Sequence, residues 1–350
     1  MNELSGRVVL DLFKRYYEEV NSFEIRRIEK RELAFTSFGK QGMVRHTSFQ
    51  SMNALVDYVR DNTPSHFYYS SAYYNNPEAS MENKRWTGAD LVFDIDGDHI
   101  EGAEKMGYGE MLSVVKEELK KLLVILTDDL SVGKQNMEIV FSGSRGYHVH
   151  VYTIFEGLES QERREIVDYI SGRCISSEFR STARTKWDDK INGVKESLLQ
   201  IIDSTDKKWK QKLEEVTGET TGELNKREIR KDNYIDRNAR KLAVKRFSSK
   251  IDEPVTIDIH RLIRTPGSLH GKSGLTVMVL PYDRVDDFDP LREAIPKAFD
   301  DNSEVIITKN ISLELGGTRL DLQEGNTVLP TYAALYSVLK GSAEFTAHVK

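Results

Sequence analysis

Apolar residues at helical spacing open the chain. In residues 4–20 (LSGRVVLDLFKRYYEEV), Val9, Leu12, Phe13, Tyr16, Tyr17 and Val20 fall on one face of a 3.6-residue repeat, which predicts an amphipathic helix. Residues 31–49 read as two strand-like runs around Gly39 and Gly42, a hairpin. Residues 52–60 predict a short helix, and 66–85 a strand running into an irregular, tyrosine-rich loop. Residues 90–96 (DLVFDID) predict a strand. Residues 110–126 predict a helix, because Met111, Leu112, Val115, Leu119, Leu122, Leu123 and Leu126 form a stripe. Residues 137–155 predict strand, glycine-bearing turn and strand, 161–175 a helix, and 195–250 a helical, heavily charged stretch. Strands are expected at 254–259 and 275–280, then a mixed region and a closing helix at 331–340. No internal repeat and no long linker interrupts the pattern. It predicts a mixed α/β fold, with a core drawn from 1–155 and 251–350 and a mainly helical insertion at 156–250.

Composition narrows the class. Of 350 residues, 30% are charged and 39% hydrophobic, the balance of a soluble globular protein. Fifty Lys and Arg against 56 Asp and Glu leave a net charge of −6, which at face value argues against a nucleic-acid binder. The sum conceals its distribution. Residues 206–250 hold 14 Lys and Arg against 8 Asp and Glu, a surplus of +6 that leaves −12 for the rest. Arg237, Arg240, Lys241, Lys245 and Arg246 crowd the second half of that segment. They read either as a face that grips nucleic-acid phosphates or as a solvated helix face laced with salt bridges. The single cysteine, Cys174, excludes an internal disulfide and a multi-thiolate zinc site, and suits a reducing, cytoplasmic compartment. The longest clean apolar run near a helix, Leu122–Leu126, is far short of the roughly 20 residues of a membrane span. The first residues, MNELSGRVVLDLF, carry Glu3 and Asp11 and do not read as a secretory signal.

Three segments carry candidate chemistry. Side chains alternate along a strand, so Val92, Asp94 and Asp96 share one face of LVFDID, with the two carboxylates about 7 Å apart. Two acids on a strand this apolar repel each other and are poorly solvated, and a divalent cation resolves both problems. The plain alternative is an exposed strand end facing water. Asp98, beyond Gly97, is expected to be a solvated loop residue. In Ser142-Gly143-Ser144-Arg145-Gly146-Tyr147-His148, the two glycines permit an anion-binding turn to which Ser142, Arg145 and His148 add donors. An ordinary hairpin with His148 and His150 at the surface fits as well. In IDEPVTIDIHRLIRTPGSLHGKSGL (251–275), Arg261, Arg264, His270 and Lys272 cluster around Pro266-Gly267, and their alternation with Leu262 and Ile263 points to an ordered element.

Taken in order, LVFDID at 91–96, FSGSRGYHVHV at 141–151 and the 251–275 run resemble the small catalytic subunit of the archaeo-eukaryotic DNA primases, the archaeal branch most of all. The tail segments FDPLREAIPKAF and VLPTYAALYSVLKGSAEF strengthen the likeness. The resemblance implies the primase catalytic core, with de novo synthesis of short RNA primers on single-stranded DNA from nucleoside triphosphates, DNA primers being the further option. It implies a two-metal nucleotidyl transfer with Mg²⁺ or Mn²⁺ held by Asp94, Asp96 and a third carboxylate, placed on Asp252 with Asp258 as the alternative. Nucleotide contacts fall on Ser142, Arg145, His148, Arg264 and His270, and more remotely on Glu32. The implied partner is a large subunit carrying an iron–sulfur cluster. Two departures stand out. Ser144 occupies a position where many relatives have Arg, and residues 97–140 contain no Cys and only His99, so no zinc knuckle is expected. A primer-extending repair polymerase of the same fold and a non-catalytic nucleic-acid-binding module are the competing readings.

Overall fold

The computed structural model describes residues 1–175, 184–231 and 233–347. Asp232, inside the stretch expected to be helical from 195 to 250, lies outside the described residues. The chain divides into two compact units, one of residues 1–119, 132–163 and 251–350, the other of 120–131 and 164–250.

The first unit is built on antiparallel sheets. Helix α1 (Glu3–Glu19) starts at Asn2, whose side chain accepts from the Ser5 amide at 2.7 Å, and buries Val8, Val9, Leu12, Phe13 and Tyr17. Strands β1 (Leu33–Thr36) and β2 (Val44–Thr47) form the expected hairpin, followed by α2 (Met52–Asn62), β3 (His66–Ser70) and the short pair β4 (Ala72–Tyr74) and β5 (Trp86–Ala89). Strand β6 (Leu91–Asp96), helix α3 (Tyr108–Val124), strands β7 (Met137–Phe141) and β8 (Gly146–Val151) and helix α4 (Ser160–Ile170) come next, residues 120–124 of α3 and 164–170 of α4 belonging to the second unit.

The second unit holds α5 (Lys186–Asp203), α6 (Trp209–Thr217), α7 (Lys226–Lys231) and α8 (Tyr234–Phe247). These helices enclose their own core, with Trp187, Leu198, Ile202, Leu213, Ile235 and Ala243 buried in it.

Back in the first unit, residues 254–259 are not the expected strand. Glu253–Ile257 form a single helical turn, α9, with Asp252 at its N-cap, Pro254 in its first turn and Asp258 at its C-cap. Proline suits that position because the first helical amides need no partner, whereas in a central strand it would remove a ladder hydrogen bond. After α9 come β9 (Leu262–Arg264), β10 (Met278–Leu280), a short α10 (Pro290–Glu293), strands β11 (Asn302–Ile307), β12 (Ile311–Leu315), β13 (Thr318–Leu322) and β14 (Gly325–Pro330), helix α11 (Thr331–Leu339) and β15 (Ala343–Phe345).

Two four-stranded sheets, in the orders β2-β1-β3-β9 and β10-β7-β8-β6, place the functional segments. The main core joins α1, α2, the first sheet, α11 and the β14-β11-β15 sheet through Phe13, Phe35, Phe67, Val305, Leu335 and Phe345.

Candidate active site

Strand β6 is the outer strand of the second sheet, paired through β8 so that Asp94 lies opposite His148 and Asp96 opposite Gly146. Leu91, Phe93 and Ile95 are buried on one face. On the other, Val92 is covered by Val255 of α9 and Ile263 of β9, and Asp94 and Asp96 extend the row beyond it. Helix α9 is fastened to the outer side of β6, since the Asp252 amide donates to the Asp94 carbonyl at 2.7 Å. The helix thereby brings the Asp252 charge close to Asp94. Asp258, at the other end of α9, accepts from the His260 amide at 2.8 Å, and after Asp96 it is Asp252 whose charge most raises the Asp94 carboxyl.

The electrostatics are those of a crowded acidic site. Burial, then Asp96, then Asp252 push the Asp94 carboxyl up to about 7 from its ordinary 3.8. A cation-binding acid set has this signature: hard oxygen donors whose mutual repulsion Arg261 and Arg264 offset only in part. The donor chemistry therefore fits a divalent cation. Among the described residues, however, no three His, Cys, Asp or Glu side chains are already gathered into a closed metal cage.

The turn between β7 and β8 faces these acids. Gly143 has φ +79°, and a Cβ there would stand 2.8 Å from the His270 Cβ; at Gly146 a Cβ would stand 2.3 Å from the Ile95 carbonyl oxygen. Only glycine fits at either position. The Ser273 hydroxyl donates to the Gly143 carbonyl at 2.6 Å and the Tyr108 hydroxyl to the Ser144 carbonyl at 2.6 Å. Both carbonyls are thus drawn away, and the amides of Gly143, Ser144 and Arg145 donate to no group among the described residues. Arg145 pairs with Asp98 and stands 3.9 Å from Asp96. Asp98 is exposed as expected, but it holds an arginine of the site, a role its place in a loop did not announce.

A cavity of about 480 Å³ brings together Asp94, Asp96, Ser142, Arg145, His148, Arg264 and His270. Arg261, Lys272 and Lys340 add positive charge to its wall, and His66 and Tyr68 are also part of it. His148 is buried rather than at the surface, with its Nε2 3.6 Å from the Asp94 carboxylate. Burial, followed by Arg264 and Arg261, lowers its pKa to about 3, so it is a neutral donor at ordinary pH. His150 is fully buried behind it, its ring stacked with those of Tyr69 and Tyr152. His66, which no motif singled out, contacts Arg264 and accepts from the Gly271 amide at 3.2 Å. Burial, with Arg264 and Lys272, lowers its pKa to about 3.

Three sets of expected residues are not among those lining the cavity: Asp252, which acts on Asp94 from the N-cap of α9, then Glu32, and the cations of α8. Glu32 does not line the cavity. It is fully buried among Arg45 at 3.0 Å, Lys84 at 3.4 Å and the His46 amide at 3.1 Å. Although burial alone would raise its pKa, those partners hold it below the ordinary carboxylate range. Arg240, Lys241, Lys245 and Arg246 are on α8 of the second unit. Lys241 reaches Glu219 at 3.2 Å, Arg246 lies over the Phe247 ring, and Lys245 is exposed.

Residues 93–280 match the family model described as DNA primase small subunit. The DNA primase small subunit of Thermoplasma volcanium is 38% identical over 343 residues, covering 95% of this chain and 96% of that one. The corresponding subunit of Methanococcoides burtonii is 36% identical over 381 residues, again covering 95% and 96%. Among solved structures, the polymerase domain of Mycobacterium tuberculosis ligase D in complex with DNA is similar over 83% of this chain and 85% of that one, at 12% identity and a TM-score of 0.40.

Proposed function

The chain belongs to the DNA primase small-subunit family, and we propose that it is the catalytic subunit of a DNA primase, starting short RNA primers on single-stranded DNA. The observation that carries this reading is the cavity itself, with Asp94 and Asp96 on one wall and Arg145, His148, Arg264 and His270 around it. Such a wall suits a triphosphate, whose reacting phosphorus belongs beside the acids and whose anionic tail belongs among the cations.

The reaction is nucleotidyl transfer. A 3′-hydroxyl oxygen forms a bond to the α-phosphorus, the bond from that phosphorus to the bridging oxygen breaks, pyrophosphate leaves and the hydroxyl proton passes to solvent. Asp94, Asp96 and Asp252 would hold the divalent cations, Mg²⁺ or Mn²⁺. When bound, such cations lower the pKa of the attacking hydroxyl and neutralise the leaving pyrophosphate. Ser142 and the free amides of its turn cradle phosphate oxygens, and Arg145 and Arg264 fork onto them. His148 and His270 are held neutral by burial and neighbouring cations, so they donate N–H bonds without adding charge. Glu32, in its buried cluster with Arg45 and Lys84, is the remotest of the proposed nucleotide contacts.

Residues 156–250 form the basic, mainly helical insertion in this reading, with Arg240, Lys241, Lys245 and Arg246 on its template-binding face. The expected partner is a large subunit bearing an iron–sulfur cluster. One cysteine cannot supply the several thiolates such a cluster takes, so the cluster belongs to the partner. A reducing cytoplasm suits both proteins. The test is template-dependent synthesis on unprimed single-stranded DNA, with and without the large subunit and with ribo- or deoxynucleotides. Short products from the wild type and none from a folded Asp96→Ala variant are expected. Full synthesis by that variant would refute the assignment, and extension only of added primers would mark a repair-type polymerase.

A further inference from the structure

Helix α11 braces two turns of the cavity wall, 142–146 and 270–275. The 270–275 turn packs on it at Gly274, where an added Cβ would stand 2.7 Å from Leu335 Cδ2. The 142–146 turn reaches it through Tyr108, whose hydroxyl holds the Ser144 carbonyl and whose ring lies 6.1 Å from that of Tyr336. Lys340 follows Tyr336 by four residues and therefore shares its face of the helix. Gly341, at φ +74°, stops the helix there, with its amide donating to the Val338 carbonyl at 3.0 Å.

A lysine at a helix C-terminus is ordinarily a solvated partner of the helix dipole. Lys340 differs in three respects. It lines the cavity together with Arg145 and Lys272. Its ammonium lies 5.1 Å from the Tyr336 ring, and it makes no salt bridge among the described residues. Burial, then Arg145 and Lys272, lowers its pKa, and no carboxylate is among the groups that act on it. Arg145 shares its charge with Asp98, whereas Lys340 and Lys272 make no salt bridge among the described residues, so two cations beside Arg145 are left to meet an anion of several charges.

We propose that Lys340 is a further phosphate-binding residue of this cavity, holding the terminal phosphates of a nucleoside triphosphate together with Arg145 and Lys272. The proposal rests on the triphosphate reading above. With the α-phosphate beside Asp94 and Asp96, the β- and γ-phosphates are what remain to meet the Lys272 and Lys340 ammoniums beside Arg145. Lys340 therefore sets the preference for triphosphates over monophosphates.

The test is titration of the full chain with ATP and with AMP in the presence of Mg²⁺, for wild type, Lys340→Gln and Lys340→Arg. Wild type is expected to bind ATP more tightly than AMP. Lys340→Gln is expected to weaken ATP binding by roughly tenfold to a hundredfold, the value of one charge-assisted contact, and to leave AMP unchanged. Lys340→Arg should recover most of the loss. Equal affinity of the wild type for ATP and AMP would overturn the triphosphate reading and the Lys340 role with it. An ATP-to-AMP ratio unchanged in Lys340→Gln would overturn the Lys340 role alone. Carbon-13 methylation of the lysines in the unmutated chain supplies a measurement free of folding effects. The Lys340 resonance should shift with ATP and not with AMP, and no shift with ATP would overturn the proposal.

Discussion

Replacing Asp94 with Asn keeps the side-chain shape and deletes its charge. In the folded chain the carboxyl is pushed up to about 7 from 3.8 by burial and by Asp96 and Asp252. A folded-state pKa above the unfolded one means that the native protein binds the extra proton between those two values. Stability present below the window is therefore lost as pH rises through it. Relative to a neutral side chain, the loss amounts to about 2 kcal/mol at pH 5 and about 4 kcal/mol at pH 8. His66 and His148, whose pKa values are lowered to about 3, run the opposite way and destabilise the fold in acid. They are present in both proteins, so the difference between wild type and Asp94→Asn isolates the carboxylate. Because the chain has two compact units, the suitable readout is urea-dependent hydrogen exchange at β6 and β8 in EDTA rather than a whole-chain signal. Asp94→Asn should be the more stable protein at both pH values, with the gap widening by about 2 kcal/mol from pH 5 to pH 8. It should make no primers. Adding Mg²⁺ should then stabilise the wild type and hardly move the variant. A variant no more stable than wild type at pH 8, or a gap that does not widen, would refute the view that Asp94 is a strained acid awaiting a cation.

Two further outcomes follow from the geometry. Gly143→Ala places a side chain at φ +79° and 2.8 Å from the His270 Cβ, so it should cost about 2–4 kcal/mol from backbone and overpacking together. Gly39→Ala, at φ +69° with nothing nearby, carries the backbone cost alone, and equal losses of melting temperature in the two variants would rule out the packing contribution. Lys241→Glu with Lys245→Glu should weaken single-stranded DNA binding and flatten its dependence on salt. Unchanged affinity across a salt series would reduce α8 to a solvated face whose Lys241 merely pairs with Glu219.

The elements legible in the sequence are those with one buried face and a clear stop. Helix α1 has its stripe and its Asn2 cap, and the turn between β7 and β8 has its glycines. Residues 254–259 misled because Val255, Ile257 and Ile259 alternate as in a strand, and alternation weighs heavily over so short a run. Pro254 carries the contrary signal, since its fixed φ and missing donor fit the first turn of a helix. The C-terminal sheet was hidden for another reason. Ser303, Val305 and Ile307 of β11 face inward, but Ile306 and Val328 put apolar side chains on the outer face, and the two-residue period is blurred.

The site was legible as motifs and illegible as an environment. Parity along β6 put Asp94 and Asp96 on one face, and of the residues the three segments marked the cavity collects Asp94, Asp96, Ser142, Arg145, His148, Arg261, Arg264, His270 and Lys272, but not Asp252. What parity cannot tell is how deeply that face is buried. Strand β8 lies between β7 and β6, so His148 and His150 are covered where a bare hairpin would have left them in water. Asp94 is strained because α9 and β9, from a distant part of the chain, lay Val255 and Ile263 over Val92 and bring Asp252 near. The missed cavity residues have the same origin. His66 has no flanking motif and Lys340 sits in a tail segment that carries no site role in the sequence, and each reaches the cavity only through packing, His66 from β3 beside β9 and Lys340 from the end of α11. Two acids on a strand are common. Half-buried acids that raise one another's proton affinity, set in one cavity with Lys272 and Lys340, require the whole fold, and that separation of charge is what the proposed triphosphate would bridge.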